Sequence, residues 1–208
     1  MIHYICGLTK KIHFMFKKIL FVATLAITAI GASAQAKIGL KGGLSFANAK
    51  FTAGTSTQTL NSIVTPNLGL TVDFPGSKSF NIQSGLSFTG MGGKLSSGNN
   101  SWTTNLSYLS IPVLAKFQLG SGFHGYAGPQ LSFLLSAKEK YAGGTQDIKN
   151  EVKGSSVFAL FGLGYSLNNK INFFGEYNAG ISNLSKITTN GEKTSANAFS
   201  FGVGVSLK

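Results

Sequence analysis

Large apolar residues alternate with small or weakly polar residues over most of the chain after residue 36. The segment Phe161-Gly162-Leu163-Gly164-Tyr165-Ser166-Leu167 shows this most clearly, because a bulky apolar residue occupies every second position. Side chains alternate between the two faces of a β-strand, so each such segment has one apolar face and one small, polar face. The pattern predicts eight strands, near residues 37–50, 64–74, 79–92, 104–119, 123–138, 156–168, 171–184 and 196–207.

The connections between these predicted strands alternate in length. Three are tight turns rich in Gly, Pro and Asn, at 75–78, 120–122 and 168–170. The longer links are rich in Ser, Thr, Asn, Gly and Lys and lie near 51–63, 93–103, 139–155 and 185–195. Short turns at one rim and long loops at the other are typical of outer-membrane barrels. The sequence therefore predicts an all-β fold, an eight-stranded antiparallel up-and-down transmembrane β-barrel.

Five charged residues of the predicted strands fall on the face opposite to the bulky apolar residues: Lys37, Lys41, Asp73, Lys116 and Glu176. Lys50 and Lys138 are the last residues of their predicted strands, beside the long links. A lysine on the lipid face near the bilayer midplane costs about 2–4 kcal/mol, so this segregation favours an apolar face turned toward lipid. The alternative is a soluble lipocalin-like barrel with the apolar face inside. Its surface would be sparsely charged, and its bulky face would crowd the narrow interior of eight strands.

The barrel interior would then hold a lumen charge network of Lys41, Asp73, Lys116 and Glu176. Charges in such a place must be paired or hydrated. One interpretation is a polar pathway or a proton-linked site. The other, which we favour, is a structural set of ion pairs, because eight strands leave no aqueous pore.

The N-terminal segment has the features of an export signal. Lys17 and Lys18 precede an apolar run that ends in Gly31-Ala32-Ser33-Ala34, which predicts a signal peptide over 1–34 and a barrel domain over 35–208. An uncleaved membrane anchor is the alternative. Met15 is an alternative start, which would make residues 1–14 an upstream extension.

Composition agrees with an exported membrane protein. Charged residues make up only 12% of the chain, against roughly 25% in soluble domains. Cys6 lies in the predicted signal peptide, so no disulfide is expected in the mature chain. Removing 1–34 takes away four lysines and lowers the formal net charge from +12 to +8.

Arginine, which nucleic-acid binders favour, is absent from the whole sequence. The excess of positive charge, carried by lysine alone, therefore points to an anionic surface rather than to nucleic acid. We expect outer-membrane lipid, including lipopolysaccharide, as a partner, and no nucleic acid.

Catalytic and metal sites are not expected. His124 is the only histidine after residue 34, whereas a catalytic triad or a zinc site needs further partners. An outer-membrane acyltransferase or protease would have to use His124 as its base, at the short-turn rim and away from outer-leaflet substrates. The sequence thus predicts no catalytic residue, no cofactor and no bound metal.

Surface contacts are predicted at the long-loop rim. The 139–155 segment is among the longest links and carries mixed charge, and Trp102 lies in a neighbouring one. The candidate contact residues are Trp102, Lys140, Tyr141, Lys149 and Lys153. Most tyrosines are expected in aromatic girdles at the bilayer interfaces. Pro112, inside a strand, predicts a β-bulge near 110–112.

Several stretches resemble the PorT-like outer-membrane β-barrel family of Bacteroidota. Gly39-Leu40-Lys41-Gly42-Gly43-Leu44-Ser45-Phe46 is similar to the family's first strand, and Tyr108-Leu109-Ser110-Ile111-Pro112-Val113-Leu114-Ala115-Lys116-Phe117 to its most recognisable motif. Ser110 stands where that motif has an acidic residue, and the last strand lacks the usual terminal aromatic. The resemblance implies the barrel fold, an outer-membrane location and insertion by the barrel-assembly machinery. For some members it also implies a role in secretion.

The function expected from the sequence is a structural or surface-interaction role without catalysis. The alternative is a narrow pore, or an accessory factor for transport or protein secretion across the outer membrane. An extracellular or secretion-system protein is then the expected protein partner.

Overall fold

The computed structural model describes residues 36–98, 100–168, 170–186 and 192–207. The predicted signal peptide over 1–34, with Met15 and Cys6, lies outside these residues. None of the described residues belongs to a helix long and apolar enough to cross a membrane. The described chain forms ten strands: β1 Lys37–Ala53, β2 Ser56–Thr59, β3 Ile63–Pro75, β4 Phe80–Ser97, β5 Asn100–Gly120, β6 Phe123–Tyr141, β7 Gly144–Asp147, β8 Ser155–Ser166, β9 Ile171–Gly180 and β10 Lys193–Ser206.

Eight of these strands close into a ring in which every pairing is antiparallel. The order around the ring is β10-β9-β8-β6-β5-β4-β3-β1, and β10 pairs with β1 to complete it. The two four-residue strands lie outside the ring, with β2 paired to β1 and β7 paired to β6. The predicted eight-stranded antiparallel barrel is confirmed.

The two ends of the barrel differ in the length of their connections. Three tight turns lie at one end, here called the turn end, and one of them needs left-handed backbone at three consecutive residues. Gly120, Ser121 and Gly122 have φ angles of 98°, 51° and 85°. Glycine adopts such positive φ angles at little cost, and it occupies two of these three positions. The opposite end is called the hairpin end.

The segments predicted as long loops at the hairpin end are largely strand. β4 continues to Ser97 and β5 begins at Asn100, so only a short hairpin remains in the predicted 93–103 loop. β5 has 21 residues, whereas a membrane-spanning strand needs about 9–11. The apolar alternation ends where the strands leave the apolar band. Beyond that band the backbone pairing of β4, β5 and β6 continues, and many of the paired residues are Ser, Thr and Asn.

The apolar face of the strands is turned outward, as the charge pattern predicts. Bulky side chains on that face are exposed on every strand of the ring, for example Leu40, Leu68, Leu163 and Phe201. On the opposite face, Ser45, Ser110, Glu176 and Ser200 are almost completely buried.

The predicted bulge near 110–112 is misplaced. The β5–β6 register shifts between Ser107 and Tyr108, and the extra residue is Leu135 on β6. Leu106 and Tyr108 therefore keep the parity of the inner face and do not mark an insertion in β5. Pro112 lacks an N–H, and the β4–β5 pairs flanking it are Ser84 with Val113 and Ser87 with Ser110. The Ser84 hydroxyl donates to the Pro112 carbonyl at 2.8 Å.

Candidate functional site

An ion pair between Lys41 of β1 and Glu176 of β9 lies inside the lumen near the turn end. Lys41 Nζ lies 2.5 Å from Glu176 Oε1, and the Tyr126 hydroxyl donates to the same oxygen at 3.0 Å. The Glu176 side chain is only 2% exposed. Lys41 Nζ also lies 5.3 Å from the ring centroid of Phe174, within the range of a cation–π contact. Both charges are held by the barrel wall because β1 and β9 point these side chains inward.

A second ion pair joins Lys116 and Asp73. Lys116 Nζ lies 2.9 Å from Asp73 Oδ2, and Gln83 Nε2 donates to Oδ1 at 2.7 Å. The structure thus brings all four residues of the predicted lumen network into one end of the barrel and pairs each lysine with one carboxylate. Lys116 does not need an acidic residue at position 110, because Asp73 of β3 supplies the carboxylate. Ser110 instead shares a hydrogen bond with Ser132, with 2.7 Å between the two hydroxyl oxygens.

A polar cavity of about 70 Å³ lies between these ion pairs and the turn end. Lys37, which is exposed at the start of β1, forms part of its rim. Its other polar lining residues are Lys41, Thr71, Asp73, Gln83, Lys116, His124, Tyr126, Asn172, Glu176 and Ser206. The cavity is therefore a charged space with room for a few water molecules, and it reaches the surface at one end of the barrel.

Above the ion pairs the lumen is filled by side chains in successive layers. Leu114, Tyr126 and Leu160 form a small apolar cluster. The next layer contains hydroxyl pairs, such as Ser45 and Ser200 with 2.6 Å between their oxygens. Amide side chains are also buried in the lumen, namely Asn67, Gln130 and Asn178.

An apolar plug fills the lumen toward the hairpin end. The Tyr108 ring meets the Phe158 ring edge-on, with centroids 5.8 Å apart, and both side chains are fully buried. The other members of the plug are Ala47, Met91, Leu106, Leu134, Ala137, Val152, Leu184, Ala196 and Ala198. An eight-stranded barrel is just wide enough for side chains to fill, and this one is filled.

Connecting segments at the hairpin end contribute to the plug. Val152 and Leu184 are buried although both lie outside the ten strands. They are held by backbone pairing, since Val152 forms a β-bridge with Ser185 and Lys153 N donates to Leu184 O at 2.8 Å. On the opposite wall Leu60 is also buried, and its N–H donates to Ala49 O at 2.8 Å.

The sequence contains a signal for the filled lumen, namely bulky residues at positions whose side chains point inward. Leu106, Tyr108, Leu114, Phe158 and Leu160 are bulky residues on the parity that elsewhere carries Gly, Ser and Asn. Such exceptions look like a register change, but they are the lumen core. The girdle prediction is accordingly wrong for Tyr108 and Tyr126, which are inside. Tyr165 lies on the outer face, where its ring centroid is 4.8 Å from that of Phe123.

The predicted surface-contact residues lie on both faces of the sheet that β4, β5 and β6 form beyond the apolar band. Trp102 pairs with Leu95 on the parity of Tyr108, so it faces away from the lipid side, and Tyr141 has the parity of buried Ala137. Lys140 has the opposite parity and projects outward. Lys149 reaches the outer wall, where Nζ donates to Leu135 O at 2.8 Å. Lys153 lies in the segment that covers the plug.

Four lysines gather on the outer face of this sheet, just beyond the apolar band. Lys94 pairs with Thr103, and Thr103 pairs with Lys140, so these three residues form one row across β4, β5 and β6. Lys138 lies two residues from Lys140 on the same face, and Lys149 lies nearby. We call Lys94, Lys138, Lys140 and Lys149 the lysine belt. Among the described residues no ion pair involves any of them.

His124 lies at the turn end, inside the barrel. It is 4% exposed, and its ring stacks at 5.9 Å on that of Tyr126. Over the described part of the chain, no group of three or more His, Cys, Asp and Glu side chains has a geometry that would hold a metal ion.

Comparison with known proteins agrees with the ring of strands and the outward apolar face. The profile of the outer membrane protein beta-barrel domain matches residues 32–186. The chain belongs to this family. Membership points to the bacterial outer membrane and identifies the surroundings of the apolar face as lipid. No curated protein sequence matches the chain significantly.

Several solved structures are similar to this chain at low identity. Neisserial surface protein A is 15% identical, with a TM-score of 0.48, over 82% of this chain and 97% of that one. The attachment invasion locus protein Ail of Yersinia pestis is 13% identical, with a TM-score of 0.46, over 83% of this chain and 97% of that one. OprG of Pseudomonas aeruginosa is 15% identical, with a TM-score of 0.42, over 82% and 95%.

Proposed function

We propose that this protein is a sealed outer-membrane barrel with a structural and surface-interaction role and no catalysis. The observation that carries the proposal is the apolar plug, which occupies the lumen beneath the hairpin end. A solute crossing the barrel would have to displace Tyr108 and Phe158 and then pass the two ion pairs of the lumen. This arrangement favours a closed barrel rather than a narrow pore.

The proposed orientation places the hairpin end outside the cell and the turn end in the periplasm. Outer-membrane barrels have short periplasmic turns and longer extracellular loops. β4, β5 and β6 extend beyond the apolar band at the hairpin end, so they would present a sheet above the membrane. Among the described strands β7 pairs with β6 alone, and its four residues are exposed, which leaves one edge open to an extracellular or secretion-system protein.

We also propose that the lysine belt contacts phosphorylated lipid of the outer leaflet, such as lipopolysaccharide. The belt lies on the outward face immediately beyond Leu135, which belongs to the apolar band. Basic side chains at this depth meet lipid phosphates, and each one near an anionic surface strengthens the contact. Asp147, which pairs with Lys138, is the carboxylate nearest to the belt in the β6–β7 ladder. Glu139 has the opposite parity to Lys138 and therefore lies on the other face of β6.

Removing two lysines of the belt is expected to weaken lipid A binding. For Lys138→Gln/Lys140→Gln we expect about a tenfold loss of affinity or more, because two favourable charge contacts are lost. Native mass spectrometry of the detergent-solubilised barrel, titrated with lipid A, measures the affinity. The control Lys78→Gln/Lys170→Gln removes the same charge at the turn end and should bind as wild type. Equal loss in both variants would contradict a role for the belt.

The resemblance to the PorT-like branch of the family is a further part of the proposal. It is supported by the positions that the motif residues take in the barrel. Tyr108, Ser110, Pro112, Leu114 and Lys116 all point into the lumen, where they form parts of the plug, the hydroxyl layer and an ion pair. A motif with this spacing would be retained for filling the barrel, whatever partner lies outside.

A further inference from the structure

We propose that the polar cavity at the turn end binds the carboxylate group of a small molecule that enters from the periplasm. The cavity is closed above by the cluster of Leu114, Tyr126 and Leu160 and opens at the rim beside Lys37. It is therefore a cup rather than a channel. Entry from the periplasm rests on the orientation proposed above, whereas the cavity itself does not.

The charges that line the cup favour an anion with one negative charge. Lys41 is paired with Glu176 and Lys116 with Asp73, so these four residues sum to zero. Lys37 adds a fifth charge, and it forms no ion pair with any residue that the structure describes. One positive charge is in excess, and a carboxylate would neutralise it. A phosphate ester carries about two negative charges at neutral pH and would overshoot.

Hydrogen-bonding capacity leads to the same ligand class. An ammonium group has three donors, and the hydrogen bonds of Lys41 Nζ and Lys116 Nζ go to one carboxylate oxygen each. The carboxylates are more fully used, because Glu176 Oε1 accepts from Lys41 and Tyr126, and Asp73 accepts on both oxygens. Each ammonium therefore keeps two N–H donors for a ligand or for water. A ligand that accepts hydrogen bonds fits these donors, and the excess positive charge of the lining disfavours a cation.

The volume limits how much of the ligand enters. A buried water needs about 10–15 Å³ of such space, so about 70 Å³ accommodates a group of a few heavy atoms. A carboxylate on a short stem fits within it, and the remainder of a larger molecule would stay outside the rim.

Titration of the purified protein in detergent micelles with acetate labelled with ¹³C at the carboxyl carbon tests the proposal. Binding is read from the shift and width of the ¹³C signal at constant ionic strength. We expect saturable binding with one acetate per barrel. Lys37→Gln should weaken it about fivefold or more, because the excess charge at the rim is removed. Lys37 is exposed and unpaired, so its replacement leaves both ion pairs in place.

Lys170→Gln is the matched control, since it removes an exposed lysine from a turn at the same end but outside the cavity. It should bind acetate as wild type does. Absence of saturable binding to wild type, or equal binding by Lys37→Gln and wild type, would overturn the proposal. Competition by glycerol phosphate at the same concentration as acetate would overturn the preference for a carboxylate.

Discussion

Glu176→Gln is expected to lower the free energy of unfolding by about 3–5 kcal/mol. The substitution keeps the shape of the side chain and an oxygen that can accept from Tyr126. It removes the charge that neutralises Lys41, whose side chain is only 11% exposed. A largely buried ammonium that loses its counter-charge is costly, because the cavity beside it replaces only part of its hydration. The decrease in the free energy of unfolding is measured by titrating the barrel in lipid vesicles with urea. The folded fraction is read from its heat-modifiable migration on a gel.

The double variant Lys41→Met/Glu176→Gln separates loss of the ion pair from loss of packing. It leaves no unpaired charge, so most of the stability should return, as with other buried pairs replaced by neutral groups. Glu192→Gln is the control, because Glu192 is exposed and its replacement should change stability by less than about 0.5 kcal/mol. A Glu176→Gln protein as stable as wild type would show that the pair is hydrated rather than buried.

Gly43→Ala is expected to prevent closure of the barrel. Gly43 pairs with Gly202 where β1 meets β10, and a Cβ at Gly43 would lie 2.0 Å from the Phe201 carbonyl oxygen. That oxygen belongs to the backbone of the partner strand, so the two strands would have to separate at the last pairing of the ring. We expect a destabilisation of at least about 4 kcal/mol and little heat-modifiable protein after refolding into detergent.

Gly42→Ala makes the same chemical change one residue away and should fold normally. A Cβ at Gly42 points to the outer face, where its nearest neighbour is Leu68 Cδ2 at 3.4 Å. Gly202→Ala should behave like Gly43→Ala, since its Cβ would lie 2.1 Å from the Gly42 carbonyl oxygen. Equal folding yields for Gly42→Ala and Gly43→Ala would contradict the close approach of β1 and β10.

The wall of the barrel follows from local patterns in the sequence. Alternation assigns Leu163 and Phe201 to the outer face because side-chain direction has a period of two residues along a strand. Turn chemistry places the ends of the strands, as the Gly120-Ser121-Gly122 turn illustrates. The charge of Glu176 makes its inward direction predictable, since an unpaired carboxylate is not tolerated in lipid.

The contents of the lumen are less predictable, because they depend on contacts between residues that are distant in the sequence. Tyr108 has the parity of the lumen, but its burial against Phe158 requires β5 and β8 to lie on either side of β6 in the ring. The partner of Lys116 is a similar case, since Asp73 is 43 residues away. Leu135 shows a third limit. An extra residue on β6 changes the direction of every side chain beyond it, and the change becomes visible only when β6 is paired with β5.

The hairpin end shows why strand ends were predicted poorly there. Residues 93–103 carry few apolar residues, which are the signal for a membrane strand but not a requirement for β-pairing. The position of Trp102 in the sequence predicts that it lies at this end, whereas the direction of its side chain depends on the continuous β4–β5 register that leads back to Tyr108.

Single-channel recording in planar bilayers tests the sealed barrel most directly. Protein that has been shown to be folded by its heat-modifiable migration is added to a bilayer under an applied voltage. We predict no stable conductance steps from wild type, because the plug around Tyr108 and Phe158 fills the lumen, and no gain of conductance in Glu176→Gln. Regular steps from wild-type protein, at an amplitude that is reproducible between insertions, would contradict the account.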